Sequence, residues 1–593
     1  MSTIGGLVYT KNTINPLELS SMSNTVNHKH SDKNEIWTSQ TVGMFCNLLY
    51  TTPESKYEVL PLHDDINQCT LSADARIDNR SELIELLNID AHKSKPVTDG
   101  ELILQSYVKW GESCVTHLIG DFSFAIWDAL NQKLFCARDH LGIRPFYYYH
   151  AIDRFVFATS MESVIIGAKL TKTPNCSILK EMLENNITTY TATVFEDITR
   201  LLPAHTIKFE KGRIHIQRYW FPEKIPMNYT ISLQDAASTY KSIMQQSIND
   251  RMRSISPIGC ELSGGFDSST ILSLADQTHT NQKLYAFSST YGHLPCDESS
   301  YINDIVQKLN VEPIYSQADT LNYTHYNLDY FYSINKEWPG KGSFLDAFDE
   351  FEKAKKRGIR VMLTGQGGDH ITTGSKYILT DALITGHFTQ LFKALTHLKW
   401  NIKIIIRYML LPFLSKKTLS FLRYITKKEL TLTSYNYGLD TEASFHSFSQ
   451  KKELEGLYNP YQLQWLDSNP YIQIAEHYGI EFRHPFHDKR VVEYMLSIPG
   501  WYKYDGNITR ILTREAMQDL FPHSILHRTD KAEFRSIIKQ QMKSIKIPNL
   551  TIMQNYGLIT QKDLQKEEDI DKRWKIFCIS SWLNHNFNHK ESK

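Results

Sequence analysis

The stretch Ser263-Gly264-Gly265-Phe266-Asp267-Ser268-Ser269 lies between an apolar run at 258–262 and a helical pattern that starts at Thr270, so it reads as strand, glycine loop and helix. Such a loop exposes successive backbone N–H groups, and the helix N-terminus adds partial positive charge, which together suit a phosphate chain. Gly264 and Gly265 allow close backbone approach. The hydroxyls of Ser263, Ser268 and Ser269 can donate hydrogen bonds, and Asp267 offers the hard oxygen ligand that Mg²⁺ requires. No terminal GK[ST] follows, so this is not a Walker loop.

Working outward, a strand is predicted at 284–288, and further helix–strand alternation leads to Val361-Met362-Leu363. That order predicts a doubly wound α/β sheet, whose ligands sit beyond the carboxyl ends of its strands. A second segment, Leu363-Thr364-Gly365-Gln366-Gly367-Gly368-Asp369, falls at such an end and repeats the pattern of glycines followed by an acid. Asp267 and Asp369 would jointly hold Mg²⁺ on a pyrophosphate.

At 593 residues the chain exceeds one ordinary core, and two domains are expected. From 43 to 218 the pattern is of short strands with a few helices. FSFAIWD (122–128) and KLFCA (133–137) read as antiparallel partners around a turn at 129–132. Two prolines in FPEKIPMNY (221–229) break the periodicity, and Ser232 with Asp235 has capping-box spacing, so the domains are drawn at 1–220 and 230–593. Within the second, 386–428 carries nine Lys or Arg and no acid among apolar residues, predicting basic amphipathic helices. Its most apolar part, IKIIIRYMLLPFL (402–414), contains Lys403, Arg407 and Pro412 and falls short of a membrane span; a buried or partly buried helix is expected there.

Lys plus Arg and Asp plus Glu balance at 65 each, which removes a global field for nucleic acid or an anionic membrane. The eight cysteines are scattered without metal-ligand spacing, and MSTIGGLVYTKN is unlike a signal peptide; reduced thiols in cytoplasm are expected.

SGGFDSS followed by TGQGGD resembles the synthetase domain of the asparagine synthetase family, and RHPFHDKRVVEYMLSIP (483–499) and TREAMQDLFPHSILHRTDKAEF (513–534) follow in the family's order. The resemblance implies cleavage of ATP to AMP and pyrophosphate, with Leu262, Ser289, Thr364 and Gly365 bordering the adenosine. It makes Lys531, in R-x-x-K-x-x-F, the catalytic lysine; a cation there would offset negative charge growing at the α-phosphate. The family usually has Glu where this chain has Gln366, which has no proton-accepting carboxylate.

LIGDFSFAIWDALNQKLFCARDHLGIRPFYYY (118–149) resembles the family's glutaminase half, a class II glutamine amidotransferase, implying an αββα N-terminal-nucleophile fold. The activity is not expected, because Ser2 stands where the family has its nucleophilic cysteine, and the region GMFCNLLYTTPES lacks the arginine that clamps glutamine. Asp99 and Glu101 then read as scaffold or capping residues. A synthetase beside a silent glutaminase implies that the substrate brings its own amine, as in β-lactam synthetases and in the macrolactam synthetases of lasso peptide biosynthesis. Segments such as ADARIDNRSELIELL and TDGELILQSYVKWGE are most similar to the lasso group.

The resemblance therefore implies Mg-ATP-dependent adenylation of an Asp or Glu side chain in a precursor peptide, and closure of a ring by the peptide's α-amine. Its partners would be the linear precursor, a leader-peptide-binding protein and a leader protease, with no nucleic acid and no stable membrane insertion. The alternatives are an ammonia-dependent asparagine synthetase or a β-lactam synthetase, and a non-enzymatic assembly partner.

Overall fold

The predicted turn at 129–132 joins two strands, Gly120–Asp128 and Lys133–Arg138, that pair antiparallel from Ser123 opposite Arg138 to Asp128 opposite Lys133. Asp128 closes the turn by accepting from the Asn131 N–H at 3.0 Å. In the computed structural model, which describes residues 1–26, 30–90, 95–278, 283–292, 294–414, 418, 458, 469–530, 532, 535–560 and 570–587, this hairpin lies inside one of two six-stranded sheets. The two sheets stack face to face over Val8, Met44, Trp127, Phe146, Phe157 and Phe209. Helices Pro16–Asn24 and Met161–Ala168 cover one outer face, and Asp99–Trp110 covers the other. The layering is αββα, as expected. Thr98 caps Asp99–Trp110 with a full capping box to Glu101, and Asp99 accepts from the Ile77 N–H.

The two sheets end at Arg218, and the next long helix, Leu233–Arg251, starts behind Ser232, whose hydroxyl accepts from the Asp235 N–H. A five-stranded sheet follows, all parallel, in the spatial order 312–317, 284–290, 258–261, 361–363, 481–483. The chain adds strands in one direction from Ile258–Glu261 and then in the other, so a crevice opens beyond the carboxyl ends of Ile258–Glu261 and Val361–Leu363. Both glycine loops leave the sheet there.

Helix Phe266–Asp276 begins four residues earlier than the pattern from Thr270 predicted. Phe266 is buried with Leu272 and Ile302 in the core beneath the helix, and that packing extends the helix through Asp267, Ser268 and Ser269. The partly buried helix expected at 402–414 is present: the chain runs helically from Ile402 to Phe413, as α-helix Ile402–Ile405, π-helix Ile406–Leu410 and 3₁₀-helix Leu411–Phe413, with Ile404, Ile405, Tyr408 and Met409 packed inward and Ile402 66% and Leu410 55% exposed. Pro412 has no N–H to continue the α-helical ladder. Upstream, helix Phe388–His397 buries Leu391, Ala394 and Leu395 beside Trp501; positions 415–417 and 419–428 of the basic stretch lie outside the described residues. Among the described residues no helix is long and apolar enough to cross a membrane.

The amino-terminal sheets are joined to the synthetase sheet by ion pairs that are almost fully buried. Arg76 pairs with Asp78 (2.9 Å) and Asp121 (2.7 Å), Arg251 with Asp488 (2.6 Å) and Asp78 (3.2 Å), and Glu481 with Arg144 (2.5 Å) and Arg483 (2.8 Å). The quoted segment at 483–499 thus supplies Arg483 and Asp488 to the seam between the two halves.

Candidate functional site

Leu262 carries the strand into the loop, and Gly265 takes the cap position of helix Phe266–Asp276 without a side-chain cap of its own. The first-turn N–H groups are thereby left for an acceptor outside the helix. Ser263 and Ser268 brace the loop: their hydroxyls are 3.1 Å apart, and the Ser263 N–H donates to the Ser268 hydroxyl at 3.2 Å. The second loop lies directly against the first. A Cβ on Gly365 would fall 2.6 Å from the Ser268 nitrogen, and one on Gly368 would fall 2.4 Å from the Asp267 carboxyl carbon, so these two glycines permit the approach of the two acids.

A cleft of about 570 Å³ opens over the two loops. Leu262, Ser263, Gly265, Asp267 and Ser268 line it from the first loop, and Ser289, Thr364, Gly365 and Asp369 from the neighbouring strands and loop. Two predicted residues are placed differently. Ser269 is fully buried on the packed side of the helix, and Gly264 contributes its carbonyl, which accepts from Arg528 at 3.1 Å. Lys531 lies outside the described residues; Asp530 and Ala532 on either side of it line the cleft.

The two acids meet at a third residue that sequence reasoning missed. Arg510 Nη2 is 3.0 Å from Asp267 Oδ2 and also pairs with Asp369, so one nitrogen sits between both carboxylates. Burial pushes the Asp267 carboxyl up to about 6; Arg510 opposes this and Asp369 adds to it. Two converging carboxylates supply the hard oxygens a divalent ion needs, and Mg²⁺ is commonly held by one or two carboxylates with substrate phosphates completing its shell. The residues therefore fit the metal: Asp267 and Asp369 would hold it, and it would neutralise charge on a phosphate chain.

Arg528 was inside the quoted R-x-x-K-x-x-F motif without a role. Its guanidinium stacks 4.0 Å over Tyr301, pairs with Glu298 and Asp530, and fixes the Gly264 carbonyl. Arg510 had no local signal at all, since GNITRILTREAM reads as an ordinary helix start. Glu261 and Glu350 at the floor of the cleft, and Asp346 buried near them, likewise carried no sequence signal.

The amino-terminal pocket is different in kind. Its volume is about 30 Å³, room for one or two waters. The Ser2 hydroxyl accepts from the Leu49 N–H at 3.0 Å, and Leu49 is 4% exposed. Glu58, Asp74, Asp99 and Glu481 line the same small space. Burial and neighbouring acids push Glu58 up to about 7 against its hydrogen bonds from Gly100 and Thr98. Packed carboxyls oppose the oxyanion that amide hydrolysis must form.

The asparagine synthase family profile matches residues 239–553, and the glutamine amidotransferase domain profile matches residues 1–220. The chain is 24% identical over 522 residues to a Bacillus subtilis (strain 168) protein named asparagine synthetase [glutamine-hydrolyzing] 3, covering 84% of this chain and 81% of that protein. It is 25% identical to asparagine synthetase [glutamine-hydrolyzing] 1 of the same organism, covering 86% and 82% respectively. It is 27% identical to a putative asparagine synthetase [glutamine-hydrolyzing] 2 of Methanocaldococcus jannaschii, covering 50% of this chain and 57% of that protein.

Proposed function

Because this chain belongs to the asparagine synthase family, whose members are ATP-dependent, AMP-forming carbon–nitrogen ligases, we propose that it makes an amide with an amine its own substrate carries, as a lasso peptide macrolactam synthetase. The observation that supports this most is the amino-terminal pocket. Ser2 stands in place of a thiol nucleophile, its hydroxyl accepts from the Leu49 N–H, and four acids with Arg144 line a pocket of water size, which supports a nitrogen source other than glutamine. An α-amine, with a reference pKa near 7.7–8.0, is already partly neutral at physiological pH.

The chemistry follows from the cleft. The Ser263–Gly265 loop and the helix start receive the β- and γ-phosphates, with Arg510 and Arg528 as fixed cations beside them. Asp267 and Asp369 would hold Mg²⁺, which would neutralise the departing pyrophosphate. Leu262, Ser289, Thr364 and Gly365 border the adenosine, and Lys531 is assigned to the reacting phosphate by resemblance alone. Holding amine and acyl-adenylate in one folded peptide makes ring closure effectively unimolecular, an advantage worth several powers of ten. The precursor peptide is the proposed partner, with a leader-binding protein and a leader protease preceding this step.

Incubating the protein with Mg-ATP and a candidate precursor is expected to lower the peptide mass by one water while AMP appears. AMP formed only with free aspartate and ammonia would sink the peptide reading. That outcome would favour an ammonia-using asparagine synthetase, the reading supported by the match to proteins of that name over 84% of the chain. Separately, glutamine is expected to release no glutamate, and Ser2→Ala is expected to change nothing in that assay. Glutamate release that disappears in Ser2→Ala would overturn the silent-glutaminase assignment.

A further inference from the structure

Beyond the phosphate-facing loops, Glu261 and Glu350 line the cleft floor and Asp346 is buried close to both, three acids drawn from two elements. Glu261 ends the strand Ile258–Glu261; Asp346 caps helix Ala347–Lys356, and Glu350 lies four residues on, on the same helical face. Asp346 is 1% and Glu350 5% exposed. Asp346 is satisfied by the hydroxyls of Tyr291 (3.1 Å) and Tyr471 (3.5 Å), and Glu261 is hydrogen-bonded to Thr364. Glu350 Oε1 is buried with no hydrogen-bond partner, and Glu350 lines the cleft. Among the described residues no Lys or Arg forms an ion pair with any of the three. Arg510 and Arg528 are engaged elsewhere, and Lys353 pairs with Asp349 at 2.5 Å.

A buried acceptor left without a donor is costly, and a group of acids without a counter-cation more so. One ammonium offers three donors and a full positive charge. We propose that Glu261 and Glu350, with the buried Asp346 adding negative charge beside them, form the subsite for the attacking amine, which enters as an ammonium, and that Glu350 Oε1 accepts its proton. This rests on the reading that the amine belongs to the substrate. It also explains how the chain manages with Gln366 at the loop: the proton acceptor comes from a different element, facing the same cleft.

The step balances. The ammonium gives one proton to the Glu350 carboxylate, and the nitrogen lone pair forms the new C–N bond to the acyl carbon. The C–O bond to AMP breaks, AMP leaves with that electron pair, and the nitrogen's second proton passes to Glu261 or to water, leaving a neutral amide. Burial, with Asp346 adding, pushes Glu261 up to about 7. Burial and then Glu261, Asp346 and Asp349 push Glu350 up further, against Lys353. A carboxylate whose proton affinity is raised by burial is a better acceptor for an ammonium proton than a free one.

The probe is glycinamide, a minimal α-ammonium, titrated into the full-length protein and followed by ligand-observed NMR saturation transfer. N-acetylglycinamide serves as the uncharged control, and ATP binding is measured in parallel. Wild type is expected to bind glycinamide saturably and the control not at all. Glu350→Gln and, independently, Glu261→Gln are expected to weaken glycinamide at least about tenfold and leave ATP binding unchanged. Glycinamide binding unchanged in both variants overturns the proposal. So does loss of ATP binding with glycinamide retained, which would place the acids at the adenine. Neither probe carries a carboxylate to activate, so failure here leaves the peptide reading standing, and failure of the peptide assay leaves this result intact.

Discussion

Asp267→Asn is expected to retain the fold and to lose ATP–pyrophosphate exchange by about 10²- to 10³-fold, the scale of removing one preorganised charge-stabilising group from an active site. The Asp267 side chain is 14% exposed, sits against Gly368, and shares Arg510 with Asp369. The amide is nearly the same size and still accepts from Arg510 through its oxygen, so packing persists. What is lost is the anionic oxygen that a hard divalent cation requires. The measurement is exchange of labelled pyrophosphate into ATP in the presence of the carboxylate substrate, with the far-UV circular dichroism spectrum as the check on folding. Exchange within about threefold of wild type would remove Asp267 from the metal site.

Glu481→Ala is expected to destabilise the protein by about 3–5 kcal/mol, because it leaves Arg144 and Arg483 buried and without their shared carboxylate. Glu481→Gln, which keeps the hydrogen-bonding shape without the charge, should cost less. Urea unfolding of the three proteins checks the order. A loss below about 1 kcal/mol for the alanine variant would mean that the seam relaxes or admits water. The same group sets an acid limit. Burial alone would raise Glu481 and Asp488, but Arg483, Arg144 and Arg76 hold the first well below the carboxylate range, and Arg251 and Arg490 do so for the second. Since their folded-state pKa values are depressed, their stabilisation is present above the unfolded value near 4 and disappears as pH falls below it. The seam accordingly ties the amino-terminal half to the synthetase sheet.

Sequence alone determined the elements whose information is local. Strand, glycine pair and helix at 258–276, the repeat of that logic at 361–369, and the hairpin at 120–138 are written in periodicity and turn residues within about twenty positions. Such patterns give a glycine loop suited to phosphate and an antiparallel hairpin without knowledge of their neighbours, whereas the αββα layering was implied by the family resemblance. Ser2 could also be read directly, because the resemblance supplied the expected residue.

Tertiary structure decided which residues share a point in space. Arg510 reaches Asp267 across 243 residues and Asp369 across 141, and nothing near Arg510 in the chain marks it out. Glu261 and Glu350 are likewise unremarkable in their own strand and helix, and share the cleft only because helix Ala347–Lys356 packs on the sheet to which Glu261's strand belongs. Phe266 drew the helix start forward to include Asp267 because its ring had a core to enter. Local patterns fix backbone geometry through short-range sterics and hydrogen bonds, whereas charge partners, pocket closure and burial depend on packing between distant elements. The glycine loop was therefore legible from the chain, and the cations and acids that gather around it were not.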